Sequence, residues 1–204
     1  MPIILVRHGE TLLNAARVMQ PFDTALSPRG LEQARLVAQR LAWHQPAAIL
    51  TSDMPRAWQT AQAIADTTGL APTICERLRE RNFGDLRGHP HDSFGFDPLT
   101  MHAAPPNGES IPEFHSRPSS AFALAVKIRS TLDGPLVVVS HGLVIDAILK
   151  LCTDVDIQIL PERIGNTAIT VLEPRHPHTP QLVNCAIHLT VKGLEEDASS
   201  LSGG

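Results

Sequence analysis

The 204-residue chain is 43% hydrophobic and 19% charged, with a formal net charge of -4. That composition describes a globular domain able to bury a sizeable core. It gives no support to nucleic-acid or anionic-membrane binding as the main activity. No run approaches 18 apolar residues, which excludes a membrane-spanning helix.

The first predicted element is a strand over Ile3–Val6, apolar throughout and so expected to be buried on both faces. Arg7, His8 and Gly9 follow at once, where ligands bind in open α/β sheets. Residues 12–24 lack periodicity and read as a loop with one helical turn. Ser27-Pro28 opens a helix carrying Leu31, Ala34, Val37, Ala38 and Leu41 and ending near Trp43. A short strand, 47–51, leads to Ser52-Asp53 as the cap of a second helix, which bears Met54, Ala57, Trp58, Ala61, Ile64 and Ala65 and ends at Gly69.

Another short strand spans 72–75, and 78–88 is a charged, glycine-containing loop. Residues 89–109 read as a surface excursion. A helix is expected from Ile111 to Leu132, kinked or split by Pro118 near Arg117. The apolar strand Leu136–Val139 ends, like the first, in His-Gly: His141-Gly142. A buried helix follows from Leu143 to Leu151. Segments 167–172 and 182–190 alternate as edge or antiparallel strands. The expected organisation is a single domain over 1–192, with 89–116 covering the site and a disordered tail over 193–204. Strand–helix alternation predicts an α/β three-layer sandwich with a mostly parallel central sheet.

Cys75, Cys152 and Cys185 are widely spaced with no CxxC, so three buried free thiols are expected. With no leader-like N-terminus, they point to the cytoplasm. The pairs His89/His91 and His176/His178, each flanking a proline, read as solvated turns, and no metal ligand set is assigned. Strands after residue 165 offer an edge on which two copies could form a homodimer.

Six segments together carry a family likeness: LVRHGET (5–11), LSPRGLEQA (26–34), TSDMPRAWQTA (51–61), LRERNFGDLRG (78–88), PPNGES (105–110) and VVSHG (138–142). In this order they resemble the phosphoglycerate-mutase-like branch of the histidine phosphatase superfamily, with a weaker match at 165–167. The resemblance implies a phosphoglycerate-mutase-like fold and a phosphoryl group passed to His8. Arg7, Arg56 and His141 would complete the phosphate pocket, and Glu80 would be the proton donor. Gly9, Thr11, Asn14, Ser110 and Gly142 are softer substrate-binding candidates. For Thr11 and Asn14 the plain alternative is loop hydrogen bonding, and for Ser110 an N-cap.

The residue types suit that chemistry. Phosphoryl transfer spreads charge over three equatorial oxygens, which two guanidinium forks and a histidine donor can hold. Neighbouring arginines disfavour protonation of the attacking imidazole. A carboxyl with a raised pKa could protonate the leaving alkoxide. No cofactor is implied.

The resemblance therefore implies a metal-independent, histidine acid phosphatase-type phosphomonoesterase acting on a small phosphate ester. The alternative is a mutase cycling through 2,3-bisphosphoglycerate. A more remote one is a non-catalytic phospho-ligand module, whose signature would be loss of one of the two histidines or arginines. The cover favours hydrolysis: 89–116 has no Lys or Arg but holds Phe94, Phe96, Leu99, Met101 and Phe114, which suits an ester with an uncharged organic part. The stretch 78–88 also looks like that of α-ribazole and broad-specificity phosphatases, but departs at Leu86-Arg87, where the family often has an aromatic and an acid. Arg17, Arg117 and Arg163 are candidates to restore a second phosphate site. The cluster Arg77, Arg79, Arg81 is a candidate for substrate charge recognition or for salt bridges to Glu76 and Glu80.

Overall fold

A computed structural model describes residues 1–195 and 201. Six strands form one sheet in the order β3-β2-β4-β1-β5-β6: β1 Ile3–Arg7, β2 Ala48–Thr51, β3 Pro72–Ile74, β4 Leu136–Ser140, β5 Ile169–Leu172 and β6 Pro180–Cys185. The first four are mutually parallel, and β5 and β6 add antiparallel at one edge. Helices α1 (Leu12–Ala15), α2 (Pro28–Ala42), α3 (Pro55–Thr68), α4 (Ile111–Arg129) and α5 (Gly142–Cys152) complete the chain.

The two-residue period of the strands divides the core into two layers. Ile3, Leu5, Leu136 and Val138 pack with Phe122, Ala125, Ile145 and Ile148 of α4 and α5. Ile4, Val6, Val137 and Val139 pack with Val37 and Leu41 of α2 and with Ala61 and Ile64 of α3. Successive side chains of a strand point to opposite faces, so an unbroken apolar run is what a doubly covered strand requires.

Four local expectations change. The cap of α3 is Met54 rather than Ser52-Asp53, although the Ser52 hydroxyl still accepts from the Met54 amide at 3.3 Å. Helix α4 runs unbroken through Pro118, which is buried within it. A reciprocal Ser110–Glu113 capping box holds its start, and the Arg117 guanidinium bonds the carbonyls of Arg77 and Arg79 at 3.1 and 2.9 Å. The strand expected over 182–190 stops at Cys185, and Ile187–Lys192 is a 3-10 helix packed on α2. Of the thiols, only Cys75 is fully buried; Cys152 and Cys185 are half-buried.

Of the tail expected to be disordered, 196–200 and 202–204 lie outside the described residues. Leu201 is described, and it is buried against Met19 and Phe83. Among the described residues, no helix is long and apolar enough to cross a membrane.

Candidate functional site

The parallel strands end along one edge of the sheet, and the candidate residues collect there. In the β1–β4 pairing Arg7 faces Ser140, so the next residues, His8 and His141, emerge side by side. Adjacent strands lie about 4.8 Å apart, and the two imidazole centroids are 5.1 Å apart. Strand β2 ends beside β4, placing Ser52 Oγ 2.9 Å from His141 Nε2. Arg56 stands in the first turn of α3, just after β2, and Glu80 follows β3. Sequence-distant residues thus converge because parallel strands share a carboxyl edge.

All five side chains are buried: Arg7 and His141 at 0%, Arg56 at 1%, His8 at 2% and Glu80 at 3% exposure. His8 Nδ1 is 2.7 Å from the carbonyl oxygen of Gly9. A carbonyl only accepts, so Nδ1 carries the proton and the lone pair is on Nε2. Burial, then Arg56, then Arg7 hold the His8 pKa well below that of an ordinary histidine. His141 is held low by burial and then by Arg56. Glu80 is pushed upward by burial, against amide bonds from Arg81 (3.0 Å) and from Leu143 (3.2 Å) at the start of α5. Arg56 is lowered by burial to about 10 and stays charged at neutral pH.

Buried polar atoms are nearly always paired, so orphans are informative. Among the described residues, Arg56 Nε, His141 Nδ1 and Arg87 Nε are buried without a hydrogen-bond partner. The Arg7 guanidinium reaches the carbonyls of Ile164 (2.6 Å) and Leu201 (2.8 Å), and Asn14 Nδ2 donates to the same Leu201 oxygen at 3.1 Å. Asn14 therefore shares a target with Arg7.

The softer candidates divide. Gly9 lacks a side chain for packing reasons: a Cβ there would lie 2.5 Å from the Gly30 carbonyl oxygen, and its amide donates to Thr60 Oγ1 at 3.0 Å. Thr11 caps α1, accepting from Asn14 N and donating to Gln20 Oε1 at 2.6 Å. Ser110 caps α4, its hydroxyl bonded to Glu113. Gly142 opens α5, whose second amide is the one bonded to Glu80. Sequence reasoning missed Ser52 on His141 and Asn166, whose Nδ2 donates to the His8 carbonyl at 3.1 Å. Both lie in the segments that carry the family likeness, at the ends of 51–61 and at 165–167.

A cavity of about 430 Å³ opens beside Glu80 and Met54, lined also by Phe22, Arg77, Arg79, Asn82, Arg87, Glu109 and Arg117. The expected arginine cluster separates here. Arg79 is clamped to Asp53 and Glu76, and Arg81 turns away to the carbonyls of Glu109 and Met101. Arg77 bonds Ser120 at the rim. Of the other arginines considered, Arg117 lines this cavity, Arg17 pairs with Asp92, and Arg163 lines a different one with Lys150. The apolar cover does not line it: Phe114 is in the core, and Phe94 and Leu99 pack on Met19, Phe83 and Leu201. Among the described residues, no group of three or more His, Cys, Asp or Glu could hold a metal.

The chain is 38% identical over 160 residues to a probable phosphoglycerate mutase, GpmB, of Yersinia pestis, covering 74% of each protein. A mycobacterial glucosyl-3-phosphoglycerate phosphatase in complex with VO3 superposes with a TM-score of 0.74 at 31% identity, over 84% of this chain and 90% of that one. A phosphoserine phosphatase variant of Entamoeba histolytica, in complex with phosphoserine, superposes with a TM-score of 0.78 at 27% identity, over 92% and 98%. Residues 3–187 match the family as a whole, and the chain belongs to the histidine phosphatase superfamily, branch 1.

Proposed function

We propose that the protein is a metal-independent phosphomonoesterase that hydrolyses a small organic phosphate through a phosphohistidine on His8. The observation that carries this reading is the state of His8, neutral in a buried cationic field with its Nδ1 proton committed to Gly9. That leaves the Nε2 electron pair to attack phosphorus.

Arg7, Arg56 and His141 stabilise the equatorial oxygens as charge spreads over them. The P–O bond to the ester oxygen breaks as the P–N bond forms, and the Glu80 carboxyl passes its proton to the departing alkoxide. Burial supports that role because it keeps the carboxyl protonated to higher pH than usual. Water then attacks the phosphohistidine, Glu80 takes its proton, and the P–N bond breaks to release phosphate. Two guanidinium groups supply the positive charge, so no metal ion enters either step.

The test is to mix the protein with a 32P-labelled ester, quench in alkali, and map the label. Label on His8, with phosphate release insensitive to EDTA, is expected. Label on another residue, or release abolished by EDTA, would overturn the reading. The likeness to a probable phosphoglycerate mutase sustains a second one, mutase cycling through a bisphosphate. Incubation with 3-phosphoglycerate, with and without 2,3-bisphosphoglycerate, separates them: a hydrolase yields free phosphate and a mutase yields 2-phosphoglycerate.

A further inference from the structure

Arg87 stands out among the cavity arginines because no described residue bonds its side chain. Its side chain makes no hydrogen bond or ion pair among the described residues, its Nε is buried, and it lines the same cavity as Glu80. It is close enough to Arg56 to lower that residue's pKa, so it faces toward the catalytic edge. The carboxylates nearby are already engaged. Glu109 takes Arg117 Nε at 2.7 Å on one oxygen, and Arg117 Nη2 at 2.9 Å and the Asn82 amide at 2.8 Å on the other. Asp53 and Glu76 are held by Arg79. Four arginines, Arg77, Arg79, Arg87 and Arg117, face three carboxyl groups, Glu76, Glu80 and Glu109, on this wall. Once Arg77 is bonded to Ser120, Arg87 is the guanidinium whose side chain has no partner among the described residues.

The backbone presents Arg87 rigidly. It follows the turn Gly84–Leu86, and Gly84 sits at φ 52°. A Cβ on Gly84 would be 1.9 Å from the Pro106 carbonyl oxygen. The Asp85 amide donates to that carbonyl at 3.0 Å, and Asn107 Nδ2 bonds the Asp85 carboxylate. The turn is therefore docked against 105–109, and its last residue is fixed at the cavity wall. A half-buried guanidinium with an orphaned donor carries an unrecovered desolvation cost, which an anion of the right reach would recover.

We infer that Arg87 is a specificity-determining residue that binds a second anionic group on the substrate, a carboxylate or a second phosphoryl, while the scissile phosphate lies on His8. This rests on the phosphatase reading and replaces the expectation, drawn from the apolar segment 89–116, of an ester with an uncharged organic part. Asn82, on the same wall, offers a neutral neighbour to the same group.

The experiment compares kcat/KM for matched esters in the wild type, Arg87→Gln and Arg87→Lys. 3-Phosphoglycerate is set against glycerol 3-phosphate for the carboxylate arm, and fructose 1,6-bisphosphate against fructose 6-phosphate for the phosphoryl arm. The wild type is expected to favour the doubly anionic member of at least one pair. Arg87→Gln should reduce that preference about 10- to 100-fold, mainly through KM, and Arg87→Lys should restore part of it. The arm that responds identifies the anion. A wild type without such a preference, or a preference that survives Arg87→Gln, would overturn the inference.

Calorimetric titration of 3-phosphoglycerate and fructose 1,6-bisphosphate into His8→Ala, with and without Arg87→Gln, measures the same contact without turnover. A weakening of about tenfold or more supports the role of Arg87 even where hydrolysis itself fails. Equal affinity for both ligands with and without Arg87→Gln overturns it.

Discussion

The buried centre and the cavity beside it both concentrate guanidinium groups, yet they treat them differently. At the centre, Arg7 and Arg56 flank two neutral imidazoles, and the one carboxyl facing them, Glu80, is pushed toward its protonated form. In the cavity, Arg79 is tied to Asp53 and Glu76, Arg117 to Glu109 and Arg77 to Ser120, leaving the Arg87 side chain without a partner among the described residues. Charge at the centre is held ready for a substrate, whereas charge in the cavity mostly fixes the wall. Buried cations without counter-ions cost stability and are retained where a ligand compensates them. The contrast therefore separates residues whose loss stops chemistry from residues whose loss loosens a surface.

The largest effect belongs at the centre. His8→Ala removes the attacking atom, and kcat for p-nitrophenyl phosphate should fall by at least about 1,000-fold. The melting temperature should change little, because the imidazole is neutral and its side-chain bond is only to the adjacent Gly9. Turnover surviving at more than a few per cent of the wild type would break the distinction between centre and cavity.

Glu80 stands on the boundary, lining the cavity while feeling Arg56 and Arg7. Its raised pKa extends the protonated, proton-donating form to higher pH, so kcat/KM should fall as pH rises through that value. His8 works the other way. Its lowered pKa keeps it neutral to lower pH than usual, so activity should fall only when acid protonates it. The profile should be bell-shaped, and Glu80→Gln should abolish its alkaline limb. Glu80→Gln should also slow phenyl phosphate by about 100-fold or more while slowing p-nitrophenyl phosphate far less, since a good leaving group needs little protonation. Equal slowing of both esters would remove Glu80 as the acid.

The difference between the two regions also explains what the sequence made legible. Arg7, His8 and His141 were readable because each ends an apolar strand, and parallel strands bring their carboxyl ends together by geometry alone. The two-layer core followed from the same runs, since Ile3–Val6 and Leu136–Val139 have no polar face to offer solvent. What was not readable depended on which neighbour takes a given polar atom. For Thr11 and Ser110 the sequence left a pocket role and a loop or capping role both open, and in the fold Gln20 and Glu113 bond their hydroxyls. Gly9 was read for close backbone approach to phosphate, and the fold adds a packing reason that no local pattern shows: a Cβ there would meet the Gly30 carbonyl oxygen. The apolar residues of 89–116 suggested an apolar substrate, yet several of them face the core and Leu201 rather than the cavity. Arg81 and Arg79 are two residues apart, and only the folded chain turns one to backbone carbonyls and the other to Asp53.

In the cavity wall, effects should shrink. Arg79→Ala frees Asp53 and Glu76 and removes the cation stacked 5.3 Å from the Phe22 ring. The Arg79 side chain is 37% exposed, so solvent screens the pair. A loss of about 1 kcal/mol in urea unfolding is expected, with kcat/KM for p-nitrophenyl phosphate reduced less than about tenfold. A loss approaching that of His8→Ala would mean that Arg79 contacts the reacting phosphate and that the wall is part of the centre.

The smallest effect tests the rim. Ser110 was a candidate to touch phosphate, but its hydroxyl is 2.6 Å from a Glu113 carboxylate oxygen, and the Glu113 amide closes the box. Ser110→Ala should cost about 1 kcal/mol, the usual value of an N-cap, and lower the melting temperature by about 2–4 °C for a chain of this length. KM for p-nitrophenyl phosphate should stay within about twofold of the wild type, because Glu113, not substrate, holds the hydroxyl. A phosphate contact predicts the reverse, a raised KM with an unchanged melting temperature. The cap also fixes the start of α4, and Arg117, in the next turn, reaches Glu109 and the carbonyls of Arg77 and Arg79. Any activity lost in Ser110→Ala should therefore fall first on doubly anionic esters, since the cap reaches the substrate only through the wall that carries Arg87.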